Sequence, residues 1–417
     1  TLYREGGHVG DLVRTGIRAP GVQNLLDAVS SAQGEGIRPL ALVLGWMEGP
    51  AMERALSRLL GHPEARKEVV EAFIRHGRRV TNLLIQQLQA EDLEIRQAAV
   101  MALGRIGDPA AVPALIEVLQ NEPELTILTA GAMAKIGDLG PFETLMAMLG
   151  HEEAAVRRAV ISALNSMGHP DMPDRIRTLL ADPDPKVRES AVRIAGYFSY
   201  PQCGERFLER TRDPEEDIRR AAVECLPYLD DHRAFSHLVH ALLDDSPRVR
   251  AAAAKALSHV EGGEALPHLL KALKDEAPWV RFYAVRSTGG HRLKEASEAL
   301  RDLITHDPAQ HVRIEAIKAV SEMGGKDTVS LLNPLVKDHD TDIARAAIRG
   351  LGMMDHPDAV APLFEALRST DPELRVAALH ALGESRGPEV PEKLQWVAAT
   401  DRDEKVVAAA MQILAGL

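Results

Sequence analysis

The sequence predicts an all-α fold, an α-solenoid superhelix of tandem two-helix repeats of about 31 residues each. Three observations predict it: one phrase recurs at a fixed interval, apolar positions inside each unit follow a helical period, and aromatics supply only 4% of the chain. Ala, Leu and Val make up most of the 45% apolar content, which suits many small, similar helix contacts better than one large core. A single core would be oversized at 417 residues, since such cores stop growing near roughly 250–300 residues.

The recurring phrase is Val187-Arg188 in DPKVRESAVRIAG, Val249-Arg250 in SPRVRAAAAKALS, Val280-Arg281 in APWVRFYAVRSTG and Leu374-Arg375 in DPELRVAALHALG. Its landmark arginines are Arg96, Arg157, Arg188, Arg219, Arg250, Arg281, Arg313 and Arg375, with Thr126, Ala344 and Val407 in register in the gaps, giving eleven units. Looser units precede these around Arg38 and Arg66. Residues 1–61 read as an irregular N-terminal helical segment with one weak repeat, and 62–417 as the repeat array.

Each unit reads as two short helices because apolar residues fall at helical spacing, first in Val112-Leu115-Ile116-Leu119 and then in stretches such as Val187-Ala191-Val192-Ala195. The first helix opens with Pro in its first turn, at Pro113, Pro173, Pro267 and Pro362, where a missing N–H costs nothing. An Asp-Pro corner such as Asp182-Pro183-Asp184-Pro185 caps the second helix with carboxylates. Gly104, Gly196, Gly352 and Gly383 are expected to end second helices in the left-handed conformation. Alanine pairs, Ala98-Ala99, Ala221-Ala222, Ala252-Ala253 and Ala377-Ala378, let neighbouring helix axes approach closely.

These residues resemble the HEAT repeats, in the short bacterial form also found in phycobilin lyases, over about 62–417. The resemblance implies the fold and says little about activity, since the repeat is a generic scaffold. It also implies a ladder between neighbouring repeats in which a corner Asp pairs with a second-helix Arg, matched here six residues apart at Asp182/Arg188, Asp213/Arg219, Asp244/Arg250, Asp275/Arg281 and Asp307/Arg313. Asp338 faces Ala344 and Asp401 faces Val407, so a ladder of this kind is interrupted there. The arginines are thereby read as structural.

Composition narrows the function. Lys and Arg total 49 against 61 Asp and Glu, a net charge of −12 that repels a phosphate backbone and disfavours general nucleic-acid binding. Cys203 and Cys225 are too few and wrongly spaced for a disulfide scaffold or a CxxC pair. No apolar run reaches the 18 or so residues of a membrane span, and no signal segment opens the chain, so a cytoplasmic protein is expected. The missing initiator Met and an end inside the apolar stretch Val406–Leu414 suggest part of a longer chain.

Chemistry leaves few marks. Deoxyhypusine hydroxylase is a HEAT-repeat enzyme whose recurring His-Glu pairs hold a di-iron site, but this chain has one such pair, His151-Glu152. His232, His237 and His240 lie near Asp230 and Asp231, with His268 one repeat after His237, yet no fixed ligand spacing appears and a polar outer helix face accounts for them. No phosphate loop or nucleophile elbow occurs. No catalytic, cofactor or metal residue is assigned, and no cofactor is expected.

The second helices should line the concave face of such a solenoid. Five residues after each landmark the column runs Met101, Gly131, Ser162, Arg193, Glu224, Lys255, Arg286, Lys318, Arg349, His380 and Gln412. One residue after it, Arg220 and Arg345 add charge while Phe282 is aromatic. Nine of the fifteen aromatics fall between Tyr197 and Tyr283, with Trp279, Phe282 and Tyr283 in one repeat. Trp, Tyr and Arg dominate interface hot spots. The expected partner-binding residues are therefore Arg193, Arg220, Lys255, Trp279, Phe282, Arg286, Lys318, Arg345 and Arg349, and the expected function is a non-catalytic scaffold or adaptor for a protein partner with an acidic surface or peptide. An enzyme or enzyme subunit of the lyase-type or metal-dependent HEAT class is the alternative, and a DNA-binding HEAT module a weaker one.

Overall fold

The structure, a computed structural model, describes residues 19–31, 36–354, 356–385 and 387–416. Part of the segment expected to be irregular, 1–18 and 32–35, lies outside them. Among the described residues every regular element is helical, and the chain divides into two compact units, Thr1–Ala195 and Gly196–Leu417. Each is a run of stacked helix pairs. In the first, the second helices Leu93–Ile106, Thr126–Ile136 and Ala154–Met167 pack one on the next. In the second, Glu216–Cys225, Pro247–Ala256, Pro278–Gly290, Gln310–Met323, Thr341–Gly352, Pro372–Glu384 and Glu404–Leu414 do the same, backed by first helices such as Gly262–Ala272 and Ser297–His306. The all-α solenoid read from the sequence is the fold observed.

Local chemistry explains the elements. Helix-spaced apolar residues such as Val249, Ala253 and Leu257, then Val280 and Ala284, are fully buried between adjacent repeats. Burial of each large aliphatic side chain contributes roughly 1.5–3 kcal/mol. Corner carboxylates cap the second helices as expected: Asp92 Oδ1 accepts from the Glu94 N–H at 2.8 Å, and Asp403 Oδ1 from the N–H groups of Lys405 and Val406.

Two expectations are corrected. Gly104, Gly196, Gly352 and Gly383 do not adopt the left-handed conformation; that role falls to Gly107, Gly137 and Gly168, with φ of 70°, 69° and 62°. The first four instead mark contacts with the next second helix. A Cβ on Gly104 would lie 2.7 Å from the Ala132 backbone, and one on Gly352 would lie 2.7 Å from that of Ala381. Pro267 is not in a first turn either, because its helix starts at Gly262 and carries the proline in its interior.

The Arg–Asp ladder is real but differently wired. Arg219 donates to the Asp244 carboxylate at 2.8 and 3.0 Å, Arg250 to Asp275 at 2.9 and 3.0 Å, and Arg281 to Asp307 at 2.7 and 2.8 Å, each 25 or 26 residues along the chain. The partner six residues back contributes only its carbonyl, as when Arg281 Nη1 donates to Asp275 O at 2.8 Å. One guanidinium thus closes its own corner and grips the next repeat. Asp338 and Asp401, expected to stand without a guanidinium, are taken by Arg313 at 3.4 Å and Arg375 at 2.9 Å, so what is missing at Ala344 and Val407 is the donor and not the acceptor.

Candidate functional site

Second helices turn the column five residues after the landmark toward solvent, because positions three, four and six after it are consumed by packing. Lys255, Arg286, Lys318, Arg349 and His380, all in the second unit, are exposed, and Gln412 follows them. Arg193 belongs to the first unit, where it is half-buried with Nε and Nη2 on Glu189 at 3.1 and 2.9 Å.

The cations of the second unit differ in how far they are neutralised. Arg220 is held by Asp217 at 3.3 Å and Glu224 at 2.9 Å, and Arg345 by Asp342 at 3.2 Å. Lys318 stands 3.9 Å from Glu322. Among the described residues Lys255 forms no ion pair and points to the Tyr283 ring, 6.0 Å from its centre, and Arg286 and Arg349 have no ionic partner. Neutralising carboxylates come from one turn away on the same helix, where side chains three and four apart meet.

The predicted aromatics do come together. Trp279 is 56% exposed, with its ring centre 5.4 Å from Phe282 and 6.2 Å from Tyr283, and Phe282 and Tyr283 meet edge-to-face at 5.3 Å. His311, absent from the sequence-based set, completes the cluster from the next second helix, 4.7 Å from Trp279 and 5.8 Å from Phe282. Its Nε2 is buried without a hydrogen-bond partner. The signal for it lay in the column two residues before the landmark. Neighbouring members of that column pair across repeats as ions, Asp217 with Arg248 at 3.2 Å and Glu373 with Lys405 at 3.5 Å, whereas Trp279 and His311 pair as rings.

Tyr283, Lys255, Arg286 and Lys318 line an open depression of about 400 Å³ beside this cluster, together with Glu315 and Glu322. Farther along, Arg345, Arg349, Met353, Val376 and His380 wall another of about 510 Å³, with Glu373 and Glu384. Both are half-open depressions along the second-helix face.

The histidines do not converge. His237 Nδ1 lies 2.8 Å from Thr211 Oγ1, and burial pulls its imidazole below the ordinary 6.5. His268 packs on Phe235, so the two imidazoles do not stack on each other. Glu152 of the single His-Glu pair is bound by Lys186. Among the described residues no three His, Cys, Asp or Glu side chains are placed to share a metal ion.

The family model for HEAT repeats matches residues 52–134, 122–195, 172–258, 204–281, 266–346 and 330–415. Deoxyhypusine hydroxylase of Neurospora crassa is 34% identical over 86 residues, 20% of this chain and 26% of that protein, so the chain spans about a quarter of its length. Among solved structures, the Kap95:Nup1 complex aligns with TM-score 0.61 and 13% identity over 96% of this chain and 65% of that one. Kap121p bound to Nup53p aligns with TM-score 0.60 and 14% identity over 96% of this chain and 54% of that one. At that identity the likeness is one of fold. No helix among the described residues is long and apolar enough to cross a membrane.

Proposed function

The chain belongs to the HEAT-repeat family, and from that premise we propose that it is a non-catalytic scaffold that holds a protein partner against the solvent face of its second helices. The observation that carries this reading is the Trp279–Phe282–Tyr283–His311 cluster, more than half exposed at Trp279, set beside Arg286, which forms no ion pair among the described residues. Exposed aromatics joined to free arginines have the composition of an interface centre. Lys255, Lys318 and Arg349 extend the face, while Arg220 and Arg345 stiffen its edge through their intrahelical pairs. Arg193 supplies the corresponding position in the first unit. The similar folds of Kap95 and Kap121p were solved with Nup1 and Nup53p, which supports a partner of protein nature.

The test is Phe282→Ala combined with Arg286→Glu. Both side chains are at least partly exposed on the second-helix face, so the helical circular-dichroism spectrum and melting temperature should be kept. Quantitative mass spectrometry of proteins copurified with wild type and variant should show a defined set lost from the variant. An unchanged set removes this face from the function.

A further inference from the structure

The exposed cations of this face form a column with a fixed step. Lys255, Arg286, Lys318 and Arg349 occupy equivalent, exposed positions on four successive second helices. Those helices are in close contact, with Gly289 against Ala319 and Gly350 against Ser321, so the column advances by one interaxial distance per repeat, roughly 8–10 Å. A polyproline II helix has three residues per turn and rises about 3.1 Å per residue, and so shows the same face every ~9 Å. An α-helix repeats every ~5.4 Å and a β-strand every ~7 Å, and neither keeps step with the column.

A second observation points to the same ligand. Beside the column, Trp279, Phe282 and Tyr283 offer ring faces and edges, followed in the next repeat by half-buried Ile314. Aromatic-lined grooves are the usual seat for proline rings in this conformation. The charge balance is positive beside Tyr283, where Lys255, Arg286 and Lys318 share a depression with Glu315 and Glu322 in a molecule of net charge −12. A net charge of −12 repels a long phosphate chain, whereas a short peptide with one carboxylate per cation carries far less charge into that field, so an acidic peptide fits better than nucleic acid.

We propose that this face receives an acidic, proline-containing segment in the polyproline II conformation, with a carboxylate at every third residue in register with Lys255, Arg286, Lys318 and Arg349. This rests on the reading of the second helices as a protein-binding face and gives that partner its chemistry. Proline packs on Trp279 and Phe282 while each Asp or Glu meets one cation of the column.

The test is fluorescence anisotropy on the full chain with a fluorescein-labelled Glu-Pro-Pro repeat of about fifteen residues, one carboxylate per turn. The control peptide has the same composition with its glutamates in one block, and a Lys-Pro-Pro repeat and a single-stranded oligonucleotide complete the set. The Glu-Pro-Pro repeat should bind at least about fivefold more tightly than the block peptide and weaken as salt is raised. Arg286→Glu with Arg349→Glu should weaken it at least about tenfold and admit the Lys-Pro-Pro repeat, a gain that misfolding cannot produce. Equal binding of the two acidic peptides overturns the register. Failure of both, or tighter binding of the oligonucleotide, overturns the ligand class. Partner loss from the Phe282→Ala, Arg286→Glu protein is read separately, so the face can survive the failure of this ligand.

Discussion

Arg281 and Asp307, 26 residues apart, are joined by two hydrogen bonds of 2.7 and 2.8 Å, with their side chains only 9% and 1% exposed. The pair lies across the junction between consecutive repeats. Asp307→Ala would leave the guanidinium buried without its counter-charge, a change that costs about 3–5 kcal/mol. Hydrogen exchange should show loss of protection in Pro278–Gly290 and Gln310–Met323, and the urea midpoint should fall. Lys405→Ala, which breaks an exposed pair with Glu373, should change stability by less than about 1 kcal/mol.

The ladder lacks its guanidinium at Ala344, and 25 residues on, where other corners carry Asp, Ser369 stands. Thr126 and His151 repeat the pattern. At both of these places a missing donor is matched by a missing acceptor. Ser369 Oγ still accepts from the Asp371 N–H at 3.2 Å, the capping duty of the usual aspartate. Ala344→Arg alone places an unpaired charge at a fully buried position and should destabilise; adding Ser369→Asp should restore stability. A double-mutant cycle by urea denaturation should return a favourable coupling of about 0.5–3 kcal/mol.

Two glycine substitutions should have opposite signs. An added Cβ at Gly352 meets the Ala381 backbone at 2.7 Å, so Gly352→Ala should destabilise by about 1–3 kcal/mol. Gly131 lies inside the helix Thr126–Ile136 with nothing within 4 Å of such a Cβ, and Gly131→Ala should stabilise by about 0.5–1 kcal/mol. Thermal melts of both variants check the pair.

Acid should act on the carboxylates. The hydrogen bond from Arg233 holds Asp231 at about 2, down from its ordinary 3.8, and that from Arg375 lowers Asp401. Groups lowered by folding contribute stability that is full above the ordinary value and lost as pH falls through the folded one. For Asp231 this window runs from 3.8 to about 2. Melting temperature should therefore fall with pH in that window, and Arg233→Gln should flatten the part due to Asp231.

Much of this protein was set by its sequence alone, because helix period, corner caps and repeat length depend on residues close together in the chain. The same period placed Lys255, Arg286, Lys318 and Arg349 in one column and Trp279 beside Phe282 and Tyr283. What lay beyond it was every choice between partners a repeat apart. An Asp six residues before an Arg is local and suggests a pair, yet the guanidinium reaches the carboxylate 25 or 26 residues ahead, because stacking brings that corner nearer to its free edge. Gly104 and Gly352 likewise read as helix ends until the neighbouring backbone appears against them. His311 joins the aromatic cluster for the same reason. Tertiary structure decided these points because packing distance between helices, unlike helix period, is a property of two segments at once.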